Sequence, residues 1–235
     1  MAIKPILFNT EMVRAILDGR KSCTRRICKD ANECTVPDMD FYNADKRTYA
    51  VHNFADKKHT EQLSIAERTC PICPGDILYV RETWEHFDCC CCDGDEHGNC
   101  PKEPQKSVLD KHSYGCYMYR ATDEISGDAK WHPSIHMPKE AARIWLKVTD
   151  VRVERLNEIT NDGCVAEGIY PSNCRGCNAA FGCDTCIDEG YSEIDEFTEV
   201  WNSTIKKSDL DRYGWDANPY VFVIEFIRID KPEEI

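Results

Sequence analysis

Apolar positions first recur at helical spacing in residues 10–17. Met12, Val13, Ile16 and Leu17 share one face there, behind the capping residues Asn9 and Thr10, and Gly19 supplies a left-handed stop. The period then changes. Over residues 22–28, Ser22, Thr24, Arg26 and Cys28 fall on one face and Cys23, Arg25 and Ile27 on the other, which predicts a strand. Further strands are predicted at residues 77–84, at "GCYMYRA", at "RIWLKVTDVRVERL" and at "PYVFVIEFIRI", where Tyr220, Phe222, Ile224, Phe226 and Arg228 share a face. "NEITNDGCVAEGI" reads as a short helix begun at Thr160, and Ile194, Phe197, Val200 and Trp201 return to helical spacing. Three stretches, at about 29–69, 85–113 and 171–190, are polar and lack an apolar period, so they are predicted as inserts outside the core. The pattern as a whole predicts an α+β chain: one domain over residues 1–235, built as a small mixed β-barrel with a few short helices and loop inserts.

Composition narrows the function classes. With 42% hydrophobic residues the chain can bury a core. No apolar run approaches a membrane span, and "MAIKPILFNTEM" lacks the basic head and apolar stretch of an export signal, so a cytoplasmic protein without a membrane partner is expected. A net charge of −13 repels phosphate over the surface as a whole, which argues against binding generic double-stranded DNA. Against that background five cations, Arg20, Lys21, Arg25, Arg26 and Lys29, crowd one short stretch around Thr24. A charge run is usually a solvated face. Beside a glycine turn, alternating with a threonine, it predicts instead a concave pocket for a phosphate, a nucleotide or a developing oxyanion.

The 16 cysteines, with no export signal, point to metal rather than to disulfides. "CRGCNAAFGCDTC" sets Cys174 and Cys177 against Cys183 and Cys186, two hooks suited to tetrahedral thiolate coordination of a structural zinc. A second site is predicted from Cys70 and Cys73 with Cys28 and Cys34, because an extended strand over 77–84 carries Cys89–Cys92 out of reach of Cys70. A third joins Cys89 and Cys92 with Cys100 and Cys116, or with His86, His97 or His112. In "WHPSIHMP", Trp131 and Met137 on a proline-stiffened loop suit base stacking, or else pack on the barrel.

Gly19-Arg20-Lys21 with Thr24 and Arg26 resembles the opening motif of the ASCH domain family, and "PGDILYVRETW", "LNEITNDGCVAEGI" and "PYVFVIEFIRI" resemble later segments of that family. The whole chain looks like a larger phage and prophage subgroup. The resemblance implies a PUA-like barrel with zinc-stapled inserts. Compact members of the wider family are amidohydrolases of N(4)-acetylcytidine that use a lysine, a threonine and a glutamate; the matching positions are Lys21, Thr24 and Glu167. Arg20, Arg25 and Arg26 would then hold substrate, with Lys21 taking the Thr24 proton and Glu167 serving the leaving amine. A modified nucleoside, nucleotide or RNA is the expected ligand. The alternatives are a non-catalytic RNA- or nucleotide-binding module and a zinc-stabilised phage interaction protein.

Overall fold

The first helix forms as expected: α1 (Thr10–Leu17) begins where Asn9 Oδ1 accepts the Met12 amide at 2.9 Å, and it buries Val13, Ala15 and Ile16. The computed structural model describes residues 1–31, 33–88, 105–106, 114–124, 130–169 and 192–233. The fold is mixed α+β, and among the described residues no sheet closes into a barrel. The chain divides into two compact units. One comprises Met1, Asp18–Asp76 and Lys147–Ile227; the other comprises Ala2–Leu17, Ile77–Leu146 and Arg228–Ile235. Strands β10 (Trp145–Arg155) and β11 (Tyr220–Ile229) give residues to both.

In the second unit β1 (Ile3–Leu7) runs parallel to β6 (Ile77–Arg81), with Ile3 opposite Ile77 and Leu7 opposite Arg81. The expected strand over 77–84 is interrupted at Glu82 and Thr83. Glu82 is buried there, clasped by Arg143 through Nε at 2.8 Å and Nη2 at 2.9 Å, so the chain turns to seat the carboxylate and resumes as β7 (Trp84–Asp88). β7 pairs antiparallel with β9 (Tyr114–Tyr119), which also carries the two-residue β8 (Gln105–Lys106). Trp84, Tyr117, Tyr119, Met137 and Trp145 form the apolar core of this unit. Met137 is thus a core residue, 1% exposed, whose Sδ accepts the Glu82 amide at 3.1 Å; stacking on a base is closed to it, and Trp131 is half-buried.

In the first unit β2 (Cys23–Ile27) runs antiparallel to β11, with Thr24 opposite Ile224, and β10 lies on the other side of β11. The stretch expected as a structureless insert at 29–69 is instead an antiparallel sheet of β3 (Thr35–Asn43), β4 (Thr48–Phe54) and β5 (Gln62–Thr69). Tyr49, Ala50 and Val51 on β4 are buried, whereas β5 is exposed at nearly every position and so carries no burial alternation for a pattern to reveal. Helices α2 (Asn161–Ala166), α3 (Glu193–Thr204) and α4 (Leu210–Tyr213) complete the unit. Among the described residues no helix is long and apolar enough to cross a membrane.

Candidate functional site

The site is built where the start of β2 meets the end of α2. Thr160 caps α2 by accepting the Gly163 amide at 3.1 Å, and Gly168, at φ +83°, ends the helix in a conformation that suits glycine. Main-chain bonds then dock residues 21–22 onto that end: the Ser22 amide donates to the Ala166 carbonyl at 2.8 Å, and Lys21 bridges to Glu167. Gly19, at φ +74°, makes the turn that brings Lys21 there. Two residues 146 apart in sequence consequently share one buried spot. Lys21 Nζ donates to Glu167 Oε2 at 2.6 Å and to the Glu167 carbonyl at 2.8 Å. Both groups are nearly closed off, with Lys21 at 1% and Glu167 at 8% side-chain exposure.

Arg25, on β2, completes the arrangement. Its Nη1 lies 3.4 Å from Glu167 Oε1, its Nη2 2.6 Å from Glu154 Oε1, and its Nε donates to the same Glu154 oxygen at 3.0 Å. Glu154 in turn meets Arg152, which reaches Glu225 nearer the surface. The inner group of Lys21, Arg25, Glu167 and Glu154 holds two cations and two carboxylates, so its formal charge is zero. This revises the expected cationic patch. Arg25 is spent on carboxylates rather than turned to a ligand, Arg20 pairs with Asp18 at 2.9 Å, and Arg26 is exposed with Nη1 on the Arg25 carbonyl. Both faces of β2 are covered there: Cys23, Thr24 and Arg25 are all buried in succession.

Thr24 is 1% exposed. Cys23 and Cys164 border the same network. Burial, reinforced by Glu167, pushes the Cys23 thiol up to about 12, and burial against the opposing pull of Arg25 pushes Cys164 up to about 11. Both are therefore neutral thiols at physiological pH. Because their folded-state values are raised, the stability they contribute is complete below the ordinary thiol value of 9.0 and is lost as pH rises through the folded values. Peptide mapping after iodoacetamide treatment at about pH 8, where an ordinary thiol reacts, is expected to find Cys23 and Cys164 unmodified in native protein and alkylated once it is unfolded. Modification of both in native protein would contradict their placement.

The cysteines expected to bind metal divide by location. Cys174, Cys177, Cys183, Cys186, Cys89, Cys92 and Cys100 lie outside the described residues, and Cys116 is half-buried on β9. Cys28 and Cys34 line one cavity. Cys70 and Cys73 are not gathered with them. The Phe54 amide donates to the Cys34 carbonyl at one end of β4, while the Cys70 amide donates to the Arg47 carbonyl at the other. At about 3.3 Å per residue, a seven-residue strand keeps Cys34 and Cys70 roughly 20 Å apart. An odd number of antiparallel strands leaves a sheet at the end opposite its entry, so four cysteines bracketing three strands do not meet. Cys70 Sγ instead donates to the Ile72 carbonyl at 2.8 Å. Among the described residues no group of three or more His, Cys, Asp or Glu side chains is arranged to hold a metal ion.

Comparison with known proteins adds no assignment: no protein-family model, curated protein or solved structure matches the chain.

Proposed function

We propose that this chain is an ASCH-type amidohydrolase, with a PUA-like architecture, that removes an acyl group from the exocyclic amine of a modified nucleoside, N(4)-acetylcytidine being the type substrate. The observation that carries the reading is the buried contact of Lys21 with Glu167, with Thr24 also buried three residues along the chain from Lys21, since these are the three residues that the ASCH resemblance singles out. Electroneutrality of the inner group favours a neutral amide over a phosphate as the reacting part of the ligand.

Chemical roles follow from the direction of the hydrogen bonds. Lys21 donates twice, so it is the donor that meets the oxyanion as the carbonyl is attacked, and Glu167 is the acceptor that takes a proton from the attacking water or from Thr24. This keeps Glu167 in the role expected from the sequence, protonating the leaving amine or activating water, and moves Lys21 from proton acceptor to oxyanion donor. Addition of water to the carbonyl forms the tetrahedral intermediate. Its collapse breaks the C–N bond, and the proton held on Glu167 passes to the departing amine, leaving a carboxylic acid and the parent nucleoside. Thr24 orders that water, or attacks the carbonyl itself to give an acyl-threonine ester with loss of the amine, which water then hydrolyses to the carboxylic acid and free Thr24. A panel of acylated nucleosides incubated with pure protein is expected to lose acyl groups, with release of the parent nucleoside seen by mass spectrometry. The near-complete burial of Lys21 favours a second reading, in which the same group is a structural lock in a nucleotide-binding module; binding of nucleosides with no hydrolysis of any panel member would establish it instead.

Structural zinc at Cys174, Cys177, Cys183 and Cys186 belongs to the same proposal, because a polar loop between two such hooks has little apolar surface to fold on. Elemental analysis of protein purified without added metal is expected to show at least about one zinc per chain. Metal-free protein of full thermal stability would remove zinc from the account.

A further inference from the structure

A cavity of about 720 Å³ opens in the first unit among the end of β2, the start of β3, the end of β10, helix α4 and the segment entering β11. That volume falls within the small-ligand range of roughly 300–1,000 Å³. Two guanidiniums line it, each lying over a tyrosine: Arg155 is 3.7 Å from the centre of the Tyr220 ring, and Arg212 is 4.9 Å from that of Tyr213. Several arginines of this chain are spent on acids, among them Arg20 on Asp18, Arg47 on Asp76 and Arg143 on Glu82. Arg155 and Arg212 are not. Among the described residues neither meets a carboxylate, and the one hydrogen bond of either guanidinium runs from Arg155 Nη1 to the Asn218 carbonyl at 3.0 Å. In a chain of net charge −13, two cations left without an acid in one cavity point to an anion that arrives from outside.

The shape of the donors narrows the anion. Their places over the rings hold both guanidiniums at the cavity wall, and planar forked donors match phosphate. Half-buried Tyr213 and Tyr220 add aromatic surface within the same walls, which suits a planar base. Asp211, also lining the cavity, offers an acceptor for a ribose hydroxyl. Lys57, paired with Glu33, leaves the two arginines as the phosphate donors.

We infer that this cavity binds a nucleoside monophosphate unit, its phosphate on Arg155 and Arg212 and its base against Tyr213 and Tyr220, supplied either as a nucleotide in solution or as one residue of single-stranded RNA. The inference is independent of the hydrolysis reading, since Lys21, Thr24 and Glu167 do not line the cavity.

Calorimetric titration of the full chain with 5′-AMP, 5′-UMP, adenosine and a tetraribonucleotide tests it. Saturable binding of the monophosphates is expected, about tenfold or more tighter than that of adenosine, and weakened about tenfold or more in the Arg155→Ala/Arg212→Ala variant while its melting temperature is kept. Photo-crosslinking of 4-thiouridine monophosphate is expected to label the peptide holding Tyr213 or Tyr220. A tetraribonucleotide that binds far more tightly than the monophosphates, with a steeper salt dependence, identifies RNA as the source; equal affinities identify the nucleotide in solution. No saturable binding of any phosphate ligand, binding that survives the double substitution, or crosslinks confined to other peptides would overturn the inference. A Thr24→Val variant that loses hydrolysis yet binds 5′-AMP as the parent does separates this result from the fate of the catalytic reading.

Discussion

Replacing Glu167 by alanine is expected to lower the free energy of unfolding by about 3–5 kcal/mol, a large share of what holds a domain of this size together. The reason is not that the ion pair itself is strongly stabilising. Taking two charges out of water costs nearly as much as their attraction returns, so the pair is close to neutral as a unit. Removing only the carboxylate leaves Lys21, at 1% exposure, facing the uncharged main-chain carbonyl of residue 167 in place of an anion, and takes from Arg25 the weaker of its two acidic partners. The expected signature is therefore non-additive. Lys21→Met combined with Glu167→Leu is expected to be more stable than Glu167→Ala alone, because it replaces both charges by apolar groups of similar volume. Urea denaturation of the two variants checks this. A Glu167→Ala protein as stable as the parent would show that the contact at 2.6 Å is not kept in solution.

Thr24→Val gives the complementary result: a loss of roughly 10²–10⁴ in turnover with no loss of stability. Valine keeps the branched shape that β2 packs at this position. The exchange keeps the side-chain volume and so leaves no cavity. Glu167 variants damage fold and chemistry together, whereas Thr24→Val separates them. A rate loss that comes only with a fall in melting temperature would assign Thr24 to packing.

The parts of this arrangement legible in the sequence are those that local physics sets. The spacing of Met12, Val13 and Ile16, the cap at Thr160 and the Gly19 turn that follows Leu17 each act within a few residues, and α1, α2 and that turn formed as the pattern indicated. The Lys21–Glu167 contact is different in kind. No period links positions 146 residues apart, and only the resemblance to a family put the two together. The run of cations and the resemblance assigned Arg25 to a ligand, and neither shows that the strand is covered on both sides and that Arg25 meets Glu154 and Glu167. The β3–β5 sheet escaped for the converse reason, since β5 leaves Leu63 and Ile65 in water. The Arg155 and Arg212 cavity draws on separate segments distant in the chain, and its local trace is slight: Arg212 directly before Tyr213, and Tyr220 directly after Pro219.

The central claim is that Lys21, Thr24 and Glu167 form a hydrolytic site for an acylated base. Its most direct test is the turnover of N(4)-acetylcytidine by the zinc-replete full chain, followed as cytidine and acetate by mass spectrometry, with Thr24→Val run alongside. The account predicts stoichiometric release of both products by the parent protein and a rate about a hundredfold or more lower in the variant. Equal rates in the two proteins, or intact substrate after prolonged incubation with folded parent protein, would contradict it.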